Sequence, residues 1–257
     1  MNNTHGDTVP PADADHPDCL VAKFSQYYDL TDAESMFLSL LQSQEQRIGH
    51  KQEVITQGTD SSSFYVLKRG WAYSYKILGN GQRQVLEFLI PGDLFGIREF
   101  AFDQALNFVA MSTNGIVCPF PKSRVREMFD SLPRLASALM QISTREQAIL
   151  VERICNIGGR SAYQRIGHQL LELWVRLHAV GLATEDSFAF PIHQVVLADA
   201  LGLSAVHVNR TLRRLKEAGL LELRNGSVVI LNQPGLIEAA HFEEFYLAKQ
   251  ALGPYLK

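Results

Sequence analysis

The sequence predicts an α+β protein: an N-terminal β-roll, a long dimerisation helix, and a C-terminal winged helix-turn-helix domain. Three observations predict it. Short apolar segments punctuated by glycine turns run from about Arg47 to Phe120, the pattern of a small sandwich, roll or barrel. A run from about Arg134 to Asn156 carries apolar residues at helical spacing on more than one side, so it wants two partners. The stretch PIHQVVLADALGLSAVHVNRTLRRLKEAGLLELRNGSVVILN, residues 191–232, joins two short helical patterns through a glycine and ends in two strand patterns around Arg224-Asn225-Gly226.

Residues 1–18 are polar and rich in Pro and Asp, with no basic n-region and no apolar core. They are expected to be a disordered tail and not a signal peptide. The β-roll is placed at 19–130, the dimerisation helix at 131–157 and the winged domain, with a C-terminal helix, at 158–257. Residues 20–46 read as helical, from Val21, Phe24, Tyr27 and Tyr28, then Met36, Phe37, Leu40 and Leu41. Thr31 followed by Glu34 forms a capping box. Asn80-Gly81, between strands at 73–77 and 84–88, predicts a hairpin whose two turn residues tolerate positive φ. A short helix is expected at 122–129.

In the long helix, Leu135, Leu139, Ile142, Glu146, Ile149 and Arg153 form one stripe. Leu132, Ala136, Met140, Ser143, Gln147, Leu150 and Ile154 form another. One side is expected to pack on the β-roll and the other to form a coiled-coil seam with a second copy, and a core helix buried within one chain is the competing reading. Gly158-Gly159 is expected to break the helix and act as a hinge. A further helix follows at 161–180, then a short strand at 188–191.

The helix-turn-helix pattern runs from His193 to Lys216. Gly202 supplies the tight turn, Leu203 is expected to plug the core, and Ser204 is a good N-cap for the second helix. Val208, Leu212 and Leu215 then face the core, which leaves Val206, Asn209, Arg210 and Arg213 on the solvent side. Those four are candidate base-reading residues: Arg pairs with guanine, Asn with adenine, and an apolar side chain meets a thymine methyl. Ser204, His207, Thr211, Arg214, Lys216 and, on the wing, Arg224 are candidate contacts to the DNA backbone. Between Ser204 and Ala218 the bases Arg210, Arg213, Arg214 and Lys216 outnumber the one acid, Glu217, in a chain of net charge −3. A winged helix used only for protein contact is the competing reading.

Other functions find little support. No HExxH, Walker loop or GxSxG occurs, so an enzyme is not expected. No apolar stretch approaches the roughly 20 residues that span a bilayer, and a cytoplasmic location is expected. Cys19, Cys118 and Cys155 make no CxxC pair and no metal-ligand spacing. An amphipathic helix is expected at 236–247.

The order of these parts resembles the cyclic-AMP receptor protein / fumarate-nitrate reduction regulator (Crp/Fnr) superfamily of bacterial transcription factors, over about residues 20–232. The likeness is strongest in LADALGLSAVHVNRTLRRLKEAGLL (197–221) and in PGDLFG (91–96). It implies that the β-roll is cyclic-nucleotide-binding-like. It also implies a symmetric homodimer on an inverted-repeat operator in double-stranded DNA, its recognition helices about 34–36 Å apart in successive major grooves. RNA polymerase would be a partner if the protein activates. Cyclic-nucleotide binders of the superfamily carry Gly-Glu after the turn and an Arg-Ser pair further on. The matching positions here are Gly96-Ile97 and Asn107-Phe108, so a cyclic nucleotide is not expected. Cys19 and Cys118 fall short of the four ligands of an iron–sulfur cluster, so no cluster is expected. They are read as buried apolar residues, with a redox role as the alternative. His50 as a haem ligand is likewise not expected, and the effector is left unnamed.

Overall fold

The computed structural model describes Pro11 and residues 18–247. The expected tail lies outside the described residues apart from Pro11 and Asp18. The described chain divides into two compact units, one of residues 18–154 and 245–247, the other of residues 155–244.

The first unit opens with two helices, not one: α1 (Cys19–Phe24) and α2 (Asp32–Leu41). The capping box separates them. Thr31 sits in extended backbone while its hydroxyl accepts from the Glu34 amide and the Glu34 carboxylate accepts from the Thr31 amide. An extended N-cap cannot continue a preceding helix. The roll follows as β1 (Gln46–Ile48), β2 (Glu53–Ile55), β3 (Ser63–Arg69), β4 (Ala72–Ile77), β5 (Arg83–Leu89), β6 (Leu94–Phe95), β7 (Phe108–Met111) and β8 (Gly115–Pro121). These make two antiparallel sheets, ordered β1-β8-β3-β6 and β2-β7-β4-β5. Leu67, Leu89, Phe95, Val109, Met111 and Val117 fill one core cluster. A second cluster joins the helices to the roll through Leu20, Phe24, Leu38, Phe64, Phe120 and Leu135.

The β4–β5 turn differs from expectation. Ser74 pairs with Glu87 but Tyr75 with Val85, so Leu86 is an extra residue that shifts the register. The Leu78 amide therefore bonds to Gln82 O at 2.8 Å, and three residues, Gly79 to Gly81, close the loop. Only Gly81 takes positive φ.

After α3 (Ser123–Ser131), α4 runs from Pro133 to Gly159. The first predicted stripe is the packed one: Leu135, Leu139, Ile142, Ile149 and Arg153 are buried. The exposed line is Met140, Thr144, Gln147, Val151 and Ile154, alternately four and three residues apart. It takes Thr144 and Val151 in place of the half-buried Ser143 and Leu150. The expected break is absent, for α4 includes both Gly158 and Gly159. Helical glycine costs only about 1 kcal/mol, and neither takes positive φ.

In the second unit, α5 (Ala162–Ala179) starts at a Ser161/Gln164 capping box. It is followed by β9 (Ser187–Ala189), α6 (Gln194–Leu201), α7 (Ala205–Glu217), β10 (Leu221–Arg224), β11 (Ser227–Ile230) and α8 (Gln233–Ala240). The wing has three strands where two were expected, ordered β10-β11-β9. The predicted C-terminal helix is cut short. α8 ends at His241, whose φ of 48° is left-handed, and Phe245–Leu247 form a separate 3-10 turn.

Candidate nucleic-acid interface

The second unit builds a helix-turn-helix from local chemistry. Gly202 takes φ 63°, as the turn requires. The Ser204 hydroxyl caps α7 by accepting from the His207 amide at 3.2 Å. Leu203 is half-buried where a core plug was expected. The turn is also held from outside: Arg165 of α5 donates Nη1 to Leu201 O at 3.0 Å and Nε to Arg160 O at 2.8 Å. Sequence reading missed Arg165, because nothing in its neighbourhood signals a bond to a residue 36 positions away.

α7 separates its faces cleanly. Val208, Leu212 and Leu215 are buried as expected. Val206, Asn209, Arg210 and Arg213 are all exposed, Val206 at 78 %. Asn209 donates Nδ2 to Ala205 O at 3.1 Å, which leaves its oxygen turned from that bond. Among the described residues neither Arg210 nor Arg213 has an ion-pair partner.

The expected backbone contacts separate into groups. Thr211 is corrected: it is 1 % exposed, between Val208 and Leu215 on the packed face, and cannot reach a phosphate from there. His207 is half-buried and Ser204 exposed. The Arg214 guanidinium lies over the Tyr163 ring at 5.2 Å. Lys216 pairs with Glu222 of β10 at 2.8 Å, and this hydrogen bond holds the Glu222 carboxyl below its usual range. Arg224 is exposed beside the wing turn. There Asn225 and Gly226 both take positive φ, 51° and 76°, the two-residue turn that matches strand twist.

The first unit holds a polar cavity of about 290 Å³. Of the four positions that the resemblance singled out, Gly96, Ile97 and Asn107 line it and Phe108 does not. Its charged wall was not legible in sequence. Arg98 grips Glu87 with two bonds of 2.9 and 2.6 Å. Arg153 Nη1 stands 3.9 Å from the same carboxylate and donates to Leu86 O at 3.0 Å. Burial opposes the Arg98 charge, yet Glu87 outweighs it, with Glu146 and Glu99 adding, and raises its pKa. Glu99 and Glu146 also face the cavity. Lys23 joins α1 to the turn through Asp93 at 2.7 Å.

Burial pushes the Cys19 thiol up to about 12, with Cys118 beside it adding to the shift. Burial likewise raises Cys118 to about 11. Both bond to Gln42: Cys19 Sγ to its side-chain oxygen at 3.1 Å and Cys118 Sγ to its carbonyl at 3.2 Å. His50 is exposed, and its amide donates to Asn114. Among the described residues no three His, Cys, Asp or Glu side chains gather as a metal site, and no helix is long and apolar enough to cross a membrane.

Residues 164–239 match the Crp-like helix-turn-helix domain and residues 45–131 the cyclic nucleotide-binding domain. The chain is 24 % identical over 223 residues to the fumarate and nitrate reduction regulatory protein of Vibrio cholerae, covering 87 % of this chain and 89 % of that protein. It is 29 % identical over 187 residues to the nitrogen fixation regulation protein FixK of Bradyrhizobium diazoefficiens, covering 72 % and 77 %. The solved structure of FixK2 from Bradyrhizobium japonicum superimposes with a TM-score of 0.69 at 23 % identity, covering 76 % of this chain and 96 % of that one.

Proposed function

The chain belongs to the Crp/Fnr superfamily of transcription regulators, and from that premise we propose that it reads an inverted-repeat operator in double-stranded DNA as a homodimer. The observation that carries this reading is α7. Arg210 and Arg213 are exposed and, among the described residues, unpaired, beside Val206 and Asn209 on one face. Unpaired guanidinium groups on a helix that projects from a winged domain suit base edges in a major groove. Ser204, His207, Arg214, Lys216 and Arg224 border that face and would meet phosphates.

The homodimer is supported by α4. Met140, Val151 and Ile154 are exposed by 56, 59 and 65 %. Their alternate four- and three-residue spacing is that of a coiled-coil seam. RNA polymerase is the expected partner if the protein activates, and the cytoplasm is where such contacts occur.

No cofactor is assigned. The cavity's Arg98 is committed to Glu87, and Glu99 and Glu146 add negative charge. A cyclic phosphate would meet repulsion there without a free guanidinium to offset it. Cys19 and Cys118, protonated at neutral pH and bonded to Gln42, behave as buried packing residues, which weighs against cluster ligation or redox chemistry.

Selection from random duplex DNA by the purified chain, without added ligand and at near-physiological salt, tests the reading. Recovery of an inverted repeat, with affinity falling steeply as salt rises, is the expected result. No enrichment, with or without cell extract, would assign the winged domain to protein contact instead.

A further inference from the structure

A second cavity in the first unit, of about 140 Å³, has the opposite chemistry from the polar one. Leu20 and Phe24 of α1, Phe64 of β3, Phe120 of β8, Met128 of α3 and Leu139 of α4 wall it. Among the described residues no charged side chain lines it, and the Ser143 hydroxyl is its only polar side chain. A buried water needs about two to four polar partners. One hydroxyl does not supply them, so the cavity favours an apolar occupant over water. An apolar cavity of about 150 Å³ takes a benzene-sized molecule. A void of that size also forfeits dispersion contacts along its whole lining, and an occupant restores them.

The entrance is built for the same chemistry. Phe100, Phe129 and Met140 border the cavity and are exposed by 55, 51 and 56 %. Phe100 stacks on Phe64 at 5.9 Å, which continues the aromatic wall to the surface.

We propose that this cavity binds one small neutral apolar molecule, an aromatic ring or short alkyl chain. The occupant touches Leu139 and Met140 of α4, and Met140 begins the exposed seam. The site does not depend on base reading by α7, but it shares Met140 with the proposed dimer seam.

Benzene is the probe, titrated into the full chain carrying 13C-methyl methionine. Met128 and Met140 line the cavity, whereas Met111, buried elsewhere, and Met36, 76 % exposed, do not. Saturable shifts of Met128 and Met140 with Met36 and Met111 unmoved are expected, and Leu139→Phe should abolish them by filling the space. Benzoate, of similar size but charged, should leave all four unmoved. If Leu139→Phe fails to fold, the contrast between benzene and benzoate on the native chain still decides. Stationary methyl signals up to the solubility of benzene would overturn the proposal. So would unsaturable shifts that include Met36, equal binding of benzoate, or a Met140 signal that follows protein concentration and ignores benzene, since a second copy would then fill the entrance.

Discussion

Arginine is used in opposite ways by the two units. In the roll, Arg98 and Arg153 converge on one carboxylate, Glu87, and Arg153 also takes a backbone carbonyl. In the winged domain, Arg210 and Arg213 stand in solvent without an ion-pair partner among the described residues. A guanidinium already held by a carboxylate stabilises the protein around it but offers nothing to an incoming anion. One left exposed adds little stability and is ready for a phosphate or a base. The contrast supports the proposal that this roll does not take a cyclic phosphate, and it shows how a chain of net charge −3 still presents a local basic face.

The sharpest way to break the contrast is to remove a committed arginine. Arg98→Met should lower stability in urea by about 2–4 kcal/mol, because it leaves the buried Glu87 carboxylate with only the more distant Arg153, 3.9 Å away; that second cation and the partial exposure of Arg98 keep the cost toward the lower end of the range for buried pairs. Glu87→Leu with Arg98→Met should recover most of that loss. A neutral single variant would mean that the pair does not hold the roll. Arg210→Ala should leave stability within about 0.5 kcal/mol. On the selected operator it should cost about 1–3 kcal/mol of binding and flatten the preference at one base position. Intact preference would show that the α7 register on DNA is wrong.

Arg224→Ala is expected to act more weakly and evenly. Affinity for every duplex should fall together, and the salt slope should drop by about one. A change in base preference would move Arg224 from the phosphates to a groove. The smallest effect is chemical. With iodoacetamide near pH 8, exposed Cys155 should react, while Cys19 and Cys118, with thiols raised to about 12 and 11, should react only after unfolding. Fast alkylation of either buried thiol would reopen a redox role for the roll.

Much of the fold was legible because its signals are short-range. The Thr31/Glu34 box, the Ser204 cap and the Gly202 turn each close through neighbours within a few residues. Helical spacing placed Val208, Leu212 and Leu215 in the core, and it placed Val206, Asn209, Arg210 and Arg213 outside. The same spacing places Thr211 on the packed face, where it is buried between Val208 and Leu215 despite a hydroxyl that would otherwise suit a phosphate.

The two Asn-Gly pairs show where local information stops. Asn225-Gly226 forms a two-residue turn because Arg224 faces Ser227 in unbroken register. Asn80-Gly81 does not, because Leu86 is extruded between the partners of Ser74 and Tyr75 and the register slips. The carbonyl of Leu86 is taken by Arg153, 67 residues away on α4. Sequence alone determined the Thr31, Ser161 and Ser204 starts of helices, the Gly202 turn and the exposed face of α7, since each rests on bonds and periodicity within one or two turns of chain. Tertiary structure alone decided the β4–β5 register, the Glu87 ion cluster and the two cavities. Each of these joins residues whose proximity is set by how sheets and helices pack, and no nearby residue encodes it.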